Sequence, residues 1–245
     1  QVKGSWGSSA EGHSDNLGIF TNLGYQTNKD SIFSAHLRGD SHKYSQENLT
    51  YRLNFTKLIK DFTFSITEST GVRHPDLFVL HGSNPSGMFE SMKTTKPETS
   101  LSREFTTTYN FSENILLETT AYKSSVSDVL NRSTSSGGYN EMIDIEQEGL
   151  ESNITFKGKN QKMILSSNFS KSREGDGTPQ LRRPEKQFGI NFSKKLISRF
   201  IGPVNFSYDY RHIGKVEDWK NGSTRSKVDS SDIMNLNISK NFSGN

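Results

Sequence analysis

The stretch "TYRLNFTKLIKDFTFSITEST", residues 50–70, places a large side chain on every second residue. Tyr51, Leu53, Phe55, Phe62, Phe64 and Ile66 alternate with Thr50, Arg52, Asn54, Thr56, Thr63, Ser65 and Thr67. A period of two belongs to a strand whose faces meet different surroundings. The pattern recurs. Phe105, Tyr109 and Phe111 alternate with Thr106, Thr108 and Asn110, and Phe188, Ile190 and Phe192 with Gln187, Gly189 and Asn191. Val204, Phe206, Tyr208 and Tyr210 alternate with Asn205, Ser207, Asp209 and Arg211, and Met234, Leu236 and Ile238 with Asn235, Asn237 and Ser239. The spacing predicts strands at 15–27, 31–40, 49–57, 62–73, 102–111, 115–130, 140–157, 162–173, 186–196, 203–215 and 229–242, with residues 1–6 as a candidate twelfth.

The intervening segments alternate in length. Short ones cover 28–30, 58–61, 112–114, 158–161 and 197–202, and longer ones 7–14, 41–48, 74–101, 131–139, 174–185 and 216–228. Short turns at one end and long polar loops at the other describe an up-and-down meander and match the asymmetry of an outer-membrane barrel. In such a barrel the apolar face meets lipid, the polar face meets a wet lumen, and closure pairs every backbone polar group. Tyr51, Leu53, Phe55, Phe62, Phe64, Phe206 and Tyr208 are then expected on the convex side, and Thr63, Ser65, Asn191 and Ser207 on the concave one. A soluble amphipathic sheet is the competing reading of the same alternation.

Composition narrows the choice. Of 245 residues only 30% are hydrophobic, and mean hydropathy is −0.73, yet there are 16 Phe and 8 Tyr. Order is being built from aromatics without a thick core. The 30 basic and 27 acidic residues are mixed along the chain, which gives no nucleic-acid footprint. With no cysteine there is no disulfide framework, thiol nucleophile or Cys metal site. No apolar run reaches the length of a membrane helix. The first residues, "QVKGSWGSS", lack the charge-then-hydrophobic order of a signal peptide, so the protein is not exported or its beginning is missing.

The triplet Asn-x-Ser/Thr occurs eleven times, as at Asn54, Asn110, Asn153, Asn191, Asn205 and Asn237. Read as glycosylation acceptors these imply a secreted protein. Most lie inside predicted strands with an apolar middle residue, so in–out–in alternation accounts for them. His13, His36, His42, His74, His81 and His212 show no HExxH and no metal spacing; His74 and His81 share the longest loop. No GxSxG, P-loop or dinucleotide fingerprint occurs. "GDGT", 175–178, falls short of a calcium loop. An enzyme reading therefore has no residues to stand on, and no cofactor is implied. Arg182 and Arg183 in "TPQLRRPEKQ" head a strand, where neighbours address opposite faces.

Several stretches resemble, in order, the late barrel region of TonB-dependent outer-membrane receptors. "GVRHPDLFVLHG", 71–82, is similar to the family pattern G-F-R-A-P-x-L-x-x-L-Y-G at Gly71, Arg73, Pro75, Leu77, Leu80 and Gly82. "TKPETS", 95–100, resembles the tail of N-P-N-L-K-P-E-x-S. "AYKSSVSDVLNR", 121–132, is similar to Y-x-x-x-V-x-D-x-I, and "YNEMIDIEQEGLESNITF", 139–156, carries Gly149 and Glu151 of the family's G-V-E. "TPQLRRPEKQFGINF" resembles x-P-L-x-R-R-P. The likeness spans about 14–242 and is greatest to the vitamin B12 (cobalamin) receptor subgroup. His74 stands where the pattern has Ala, and 83–94 replaces a tight N-P-N-L.

The resemblance implies an all-β, antiparallel up-and-down transmembrane β-barrel. Residues 1–245 would supply about 11–12 strands of a 22-stranded one, without its plug domain, TonB box and last strands. It implies a bacterial outer-membrane location, and active uptake of a scarce large cargo: cobalamin, a siderophore or haem. Its partners would be outer-membrane lipid and, through a plug outside this chain, the TonB complex. Cargo contacts are expected in the long loops, at His74, His81, Phe89, Arg182, Arg183 and Trp219. Aromatics and cations there can hold planar or anionic ligands, and imidazole can ligate haem iron. The rivals are a complete small porin or adhesin barrel and a soluble carbohydrate-binding β-sandwich.

Overall fold

The computed structural model describes residues 2–3, 9–10, 14–43, 45–75, 82–83, 96–131, 141–200, 202–220 and 224–240. In chain order the strands are β1 (Val2–Lys3), β2 (Ser9–Ala10), β3 (Asn16–Asn28), β4 (Ser31–His42), β5 (Ser45–Ile59), β6 (Phe62–Arg73), β7 (Gly82–Ser83) and β8 (Glu98–Ser112). They continue with β9 (Ile115–Asn131), β10 (Glu141–Gly158), β11 (Gln161–Glu174), β12 (Lys186–Ser198), β13 (Gly202–Ile213), β14 (Val216–Lys220), β15 (Thr224–Val228) and β16 (Ser231–Ser239). No helix of the described residues is long and apolar enough to cross a membrane.

Eleven strands form one antiparallel sheet in the order β16-β13-β12-β11-β10-β9-β8-β6-β5-β4-β3. Every strand pairs with the next strand of the meander, and β3 and β16 are the edges; the sheet does not close on itself. A second sheet packed on the first, as a sandwich requires, is not formed among the described residues. Nor is the β3–β16 closure that a complete small barrel requires.

Register fixes the faces. Cross-strand partners point the same way. Tyr25↔Phe33, Phe33↔Phe55, Phe55↔Ile66, Ile66↔Phe105 and Phe105↔Ala121 form one chain of partners. It continues through Ala121↔Leu150, Leu150↔Phe169, Met163↔Phe192, Phe192↔Tyr208 and Tyr208↔Leu236. Tyr51, Leu53, Phe55, Phe62, Phe64, Phe206 and Tyr208 thus share one face, and Thr63, Ser65, Asn191 and Ser207 the other, as the alternation predicts. The apolar face is uncovered: Phe55 is 45%, Ile66 57% and Leu236 64% exposed. A continuous exposed apolar band of this extent suits lipid and not water. Ring pairs knit it laterally, with Phe62 stacked on Tyr109 at 4.2 Å and Phe169 edge-on to Phe188 at 5.5 Å; such pairs add about 0.5–1.5 kcal/mol each.

The opposite face satisfies itself with short polar side chains. Asn54 Nδ2 donates to Ser65 Oγ at 2.7 Å and Thr67 Oγ1 at 2.8 Å, and Thr106 and Thr120 share a hydrogen bond of 2.9 Å. Thr67, which accepts one of these bonds, is only 6% exposed. The Asn-x-Ser/Thr triplets at Asn54, Asn153, Asn191, Asn205 and Asn237 put Asn on this face and the middle residue on the other.

Three expectations change. Of residues 1–6 only Val2–Lys3 is described, and it pairs with Ser9–Ala10, which pairs with Gly82–Ser83, rather than with the main sheet. The supposed loop 41–48 is mostly hairpin, since β4 runs to His42 and β5 starts at Ser45; the segment has no aliphatic residue to alternate with its polar ones. Loop 216–228 contains a hairpin of its own, β14–β15, paired from Val216↔Val228 to Lys220↔Thr224.

Two motif residues acquire a packing role. Gly149 lies opposite Tyr122. A Cβ on Gly149 would sit 2.6 Å from the Tyr122 hydroxyl and 2.7 Å from the Phe169 carbonyl oxygen, so glycine lets the aromatic ring close over the strand. Asp128 has φ 58° at the irregularity where β10 shifts register between Ile143 and Ile145. Aspartate tolerates that left-handed backbone better than most residues.

Candidate functional site

The long-connection end of the sheet holds two separate polar assemblies. The first joins β3, β4 and the end of β6. His74, just beyond β6, stacks on His42 with centroids 4.4 Å apart and planes 7° from parallel. The Ser14 hydroxyl lies 2.7 Å from His42 Nε2. Below them Arg38 donates from Nε and Nη2 to both oxygens of Asp40 at 2.7 Å, and Asp40 is 5% exposed. A two-pronged pair of this kind holds a nearly buried carboxylate in place. Burial, and then the neighbouring His42, push His74 below the usual histidine range; Asp40 pulls the other way. His74 is thereby held neutral near pH 7. Among the described residues no group of three or more His, Cys, Asp or Glu is placed to hold a metal ion.

The second assembly joins the β11–β12 connection to the β14–β15 hairpin. Glu174 begins a tight turn: the Gly177 N–H donates to the Glu174 carbonyl at 2.8 Å, Thr178 N–H to Asp176 Oδ1 at 2.8 Å, and Gly177 takes φ 85°. The chain then folds back on β11, with Gln180 N–H donating to Ser172 O at 2.9 Å and Ser172 Oγ to Gln180 Oε1 at 2.6 Å. Arg182, at φ 60°, ties this turn to the hairpin: its N–H donates to Glu217 O at 2.8 Å and its Nε to Asp218 Oδ1 at 2.9 Å. The Trp219 N–H and then Arg182 hold the Asp218 carboxyl below its usual range.

Arg225 is the centre of this assembly. It donates to Glu174 Oε1 at 2.9 Å and to the Pro179 carbonyl, lies 3.9 Å from Glu217, and sits 5.6 Å over the Trp219 ring. Its side chain is 26% exposed and that of Glu174 16%. Trp219 is therefore half-buried under a cation, and Arg182 is engaged with Asp218. Arg183 is exposed and makes no ion pair among the described residues.

Of the sequence-predicted residues, Arg182 is fastened to the hairpin that carries Trp219, and Arg183 is its chain neighbour; His74 lies in another sector, with β8, β9 and β10 between β6 and β11. His81 and Phe89 lie outside the described residues. Sequence reasoning missed Asp40, His42, Asp218 and Arg225. The Asn-Gly dipeptide at the centre of "VEDWKNGSTRSKV" is the sequence signal for a hairpin that would have set Arg225 opposite Trp219. Across β10 to β13 the polar face carries a groove of about 470 Å³, lined in part by Glu151, Asn153, Asn168, Gln187, Asn191 and Asp209. These side chains can wet a passage and hydrogen-bond a polar surface; no catalytic constellation is among them.

Comparison with known proteins adds the following. The family model described as "TonB dependent receptor-like, beta-barrel" matches residues 5–245. No curated protein matches the chain by sequence. Among solved structures, the siderophore receptor PirA from Acinetobacter baumannii superposes with TM-score 0.75 at 15% identity, over 99% of this chain and 43% of that one. The ferric yersiniabactin uptake receptor FyuA from Yersinia pestis gives 0.73 at 11%, over 92% and 38%. The ferripyoverdine receptor of the outer membrane of Pseudomonas aeruginosa gives 0.71 at 10%, over 91% and 32%. The chain spans about a third to two-fifths of the length of these structures.

Proposed function

Since the chain belongs to the TonB-dependent receptor-like β-barrel family, we propose that it supplies part of the barrel wall and outer vestibule of an outer-membrane receptor. That receptor takes up a scarce, large ligand by active transport. The observation that carries this reading is the eleven-stranded meander with an exposed apolar band on one face and a hydrogen-bonded polar lining on the other. A wall of that kind separates lipid from a wet lumen. Energy coupling would come from a plug domain and the TonB complex outside these residues, and the remaining wall from further strands paired to β3 and β16.

The cargo class is an iron chelate or cobalamin. The cobalamin alternative rests on motif likeness alone, and at 10–15% identity the compared structures speak for fold and not for cargo. Cargo would enter from the long-connection end, where Arg183 offers an exposed cation, with His74, His81, Phe89, Arg182 and the partly covered Trp219 as further contacts. In the intact receptor, replacing His81 and Arg183 together with Ala is expected to lower uptake of the cargo while barrel assembly stays intact. Uptake of iron-loaded siderophores and of cyanocobalamin, measured in cells lacking other receptors, identifies the cargo. Unchanged uptake of every candidate by the double variant removes these residues from the site.

A further inference from the structure

Two neighbouring short turns differ from the rest. The β10–β11 and β12–β13 ends carry Lys157, Lys159, Lys162, Lys194, Lys195 and Arg199, all exposed. No Asp or Glu occurs anywhere in 152–170 or 186–208. The other short turns are balanced or acidic: Lys29 precedes Asp30, Lys60 precedes Asp61, and the third holds Glu113. The two basic ends adjoin, since Gln161 is the partner of Lys194 and the Lys195 N–H donates to Asn160 O at 2.8 Å. None of the six cations forms a salt bridge among the described residues. Lys157 and Lys162 are direct cross-strand partners, an arrangement of like charges that costs stability unless an anion offsets it.

The same place exposes apolar side chains. Leu196 is 44%, Ile197 74% and Phe200 97% exposed. Cations beside an exposed aromatic at the rim of an apolar band match the boundary between lipid tails and headgroups.

We propose that the paired ends of β10–β11 and β12–β13 bind anionic phospholipid headgroups in the leaflet on the short-turn side. This rests on the membrane-barrel reading above. Lys159 and Arg199 lie in the turns, and Lys194 lies on the apolar face as the partner of Phe206. These three reach a phosphate at the lipid boundary. Lys157, Lys162 and Lys195 stand on the polar face, where they add to the local positive field. Clustered Lys and Arg at a membrane surface attract anionic lipid additively.

The test uses the intact receptor in detergent micelles titrated with phosphatidylglycerol or phosphatidylethanolamine, with bound lipid counted by native mass spectrometry. Insertion into phosphatidylethanolamine vesicles, read by heat-modifiable gel migration, is measured first. Failure to insert removes the membrane reading and this inference with it; insertion without headgroup preference removes this inference alone. Binding of phosphatidylglycerol is expected to be about tenfold tighter than that of phosphatidylethanolamine. The variant Lys159→Gln/Lys194→Gln/Arg199→Gln is expected to bring the two within about twofold, and Lys157→Gln/Lys162→Gln/Lys195→Gln to keep most of the preference. Loss of preference in the second variant but not the first overturns the proposal in favour of an acidic aqueous partner on the lumen side.

Discussion

Replacing Arg225 with Ala releases the connection 175–185 from the β14–β15 hairpin. The side chain holds Glu174 at 2.9 Å, the Pro179 carbonyl, Glu217 at 3.9 Å and the Trp219 ring at 5.6 Å. Its removal leaves Glu174, 16% exposed, without its cation. A hydrogen bond to a charged group contributes about 1.5–3 kcal/mol, and an exposed cation–π contact about 0.5–1. Water recovers some of this, so local opening becomes easier by about 3 kcal/mol, or roughly 100-fold. Hydrogen exchange with peptide-level readout is the assay. Amides of 176–182 and 216–228 are expected to exchange about 100-fold faster, while those of β11 and β12 stay within about twofold. Arg225→Lys is expected to fall between, keeping the charge but not the two-directional donation. Unchanged exchange in the loop, or equal acceleration in β12, refutes the view that Arg225 is a local fastening.

Other outcomes follow from the same geometry. Phe64→Arg, in the apolar band, is expected to cost about 2–4 kcal/mol and block assembly, whereas Ser65→Arg on the polar face leaves heat-modifiable migration intact. Gly149→Ala is expected to lower stability by about 1–3 kcal/mol in urea unfolding, because the added methyl meets the Phe169 carbonyl. His74 has its folded pKa depressed, so the unfolded chain takes up the proton first as pH falls. Stability is then full above the ordinary value of 6.5 and declines below it until the folded group also protonates. His74→Phe keeps a stacking ring and is expected to flatten that dependence in urea midpoints between about pH 7 and pH 5.

The meander was legible because lipid imposes a strict rule: within the apolar band each residue has one of two solvents, so Phe62, Phe64 and Ile66 declare their face. Where strands leave the band the rule lapses. Residues 41–48 hold no aliphatic side chain, so the β4–β5 hairpin extension carries no alternation to read. The candidate site was legible only in part for the same reason. Arg182 stands out as half of a paired motif, but its partner Asp218 is 36 residues away and is found only through the fold. Asp40 and His42 sit in a strand whose neighbours are chosen by register. The Gly149–Tyr122 contact explains two motif residues that the sequence displays without a reason.

The central claim is that alternate residues of one strand face lipid and a wet lumen. The chain has no cysteine, so Phe64→Cys, Ser65→Cys and Ile66→Cys each give a single labelling position within it. With nitroxide labels at these positions in the otherwise cysteine-free intact receptor, reconstituted in bilayers, power saturation reports contact with oxygen, which concentrates in lipid, or with a water-soluble nickel chelate. The account predicts oxygen contact at 64 and 66 and nickel contact at 65. Uniform nickel contact at all three positions, or the opposite alternation, would contradict it.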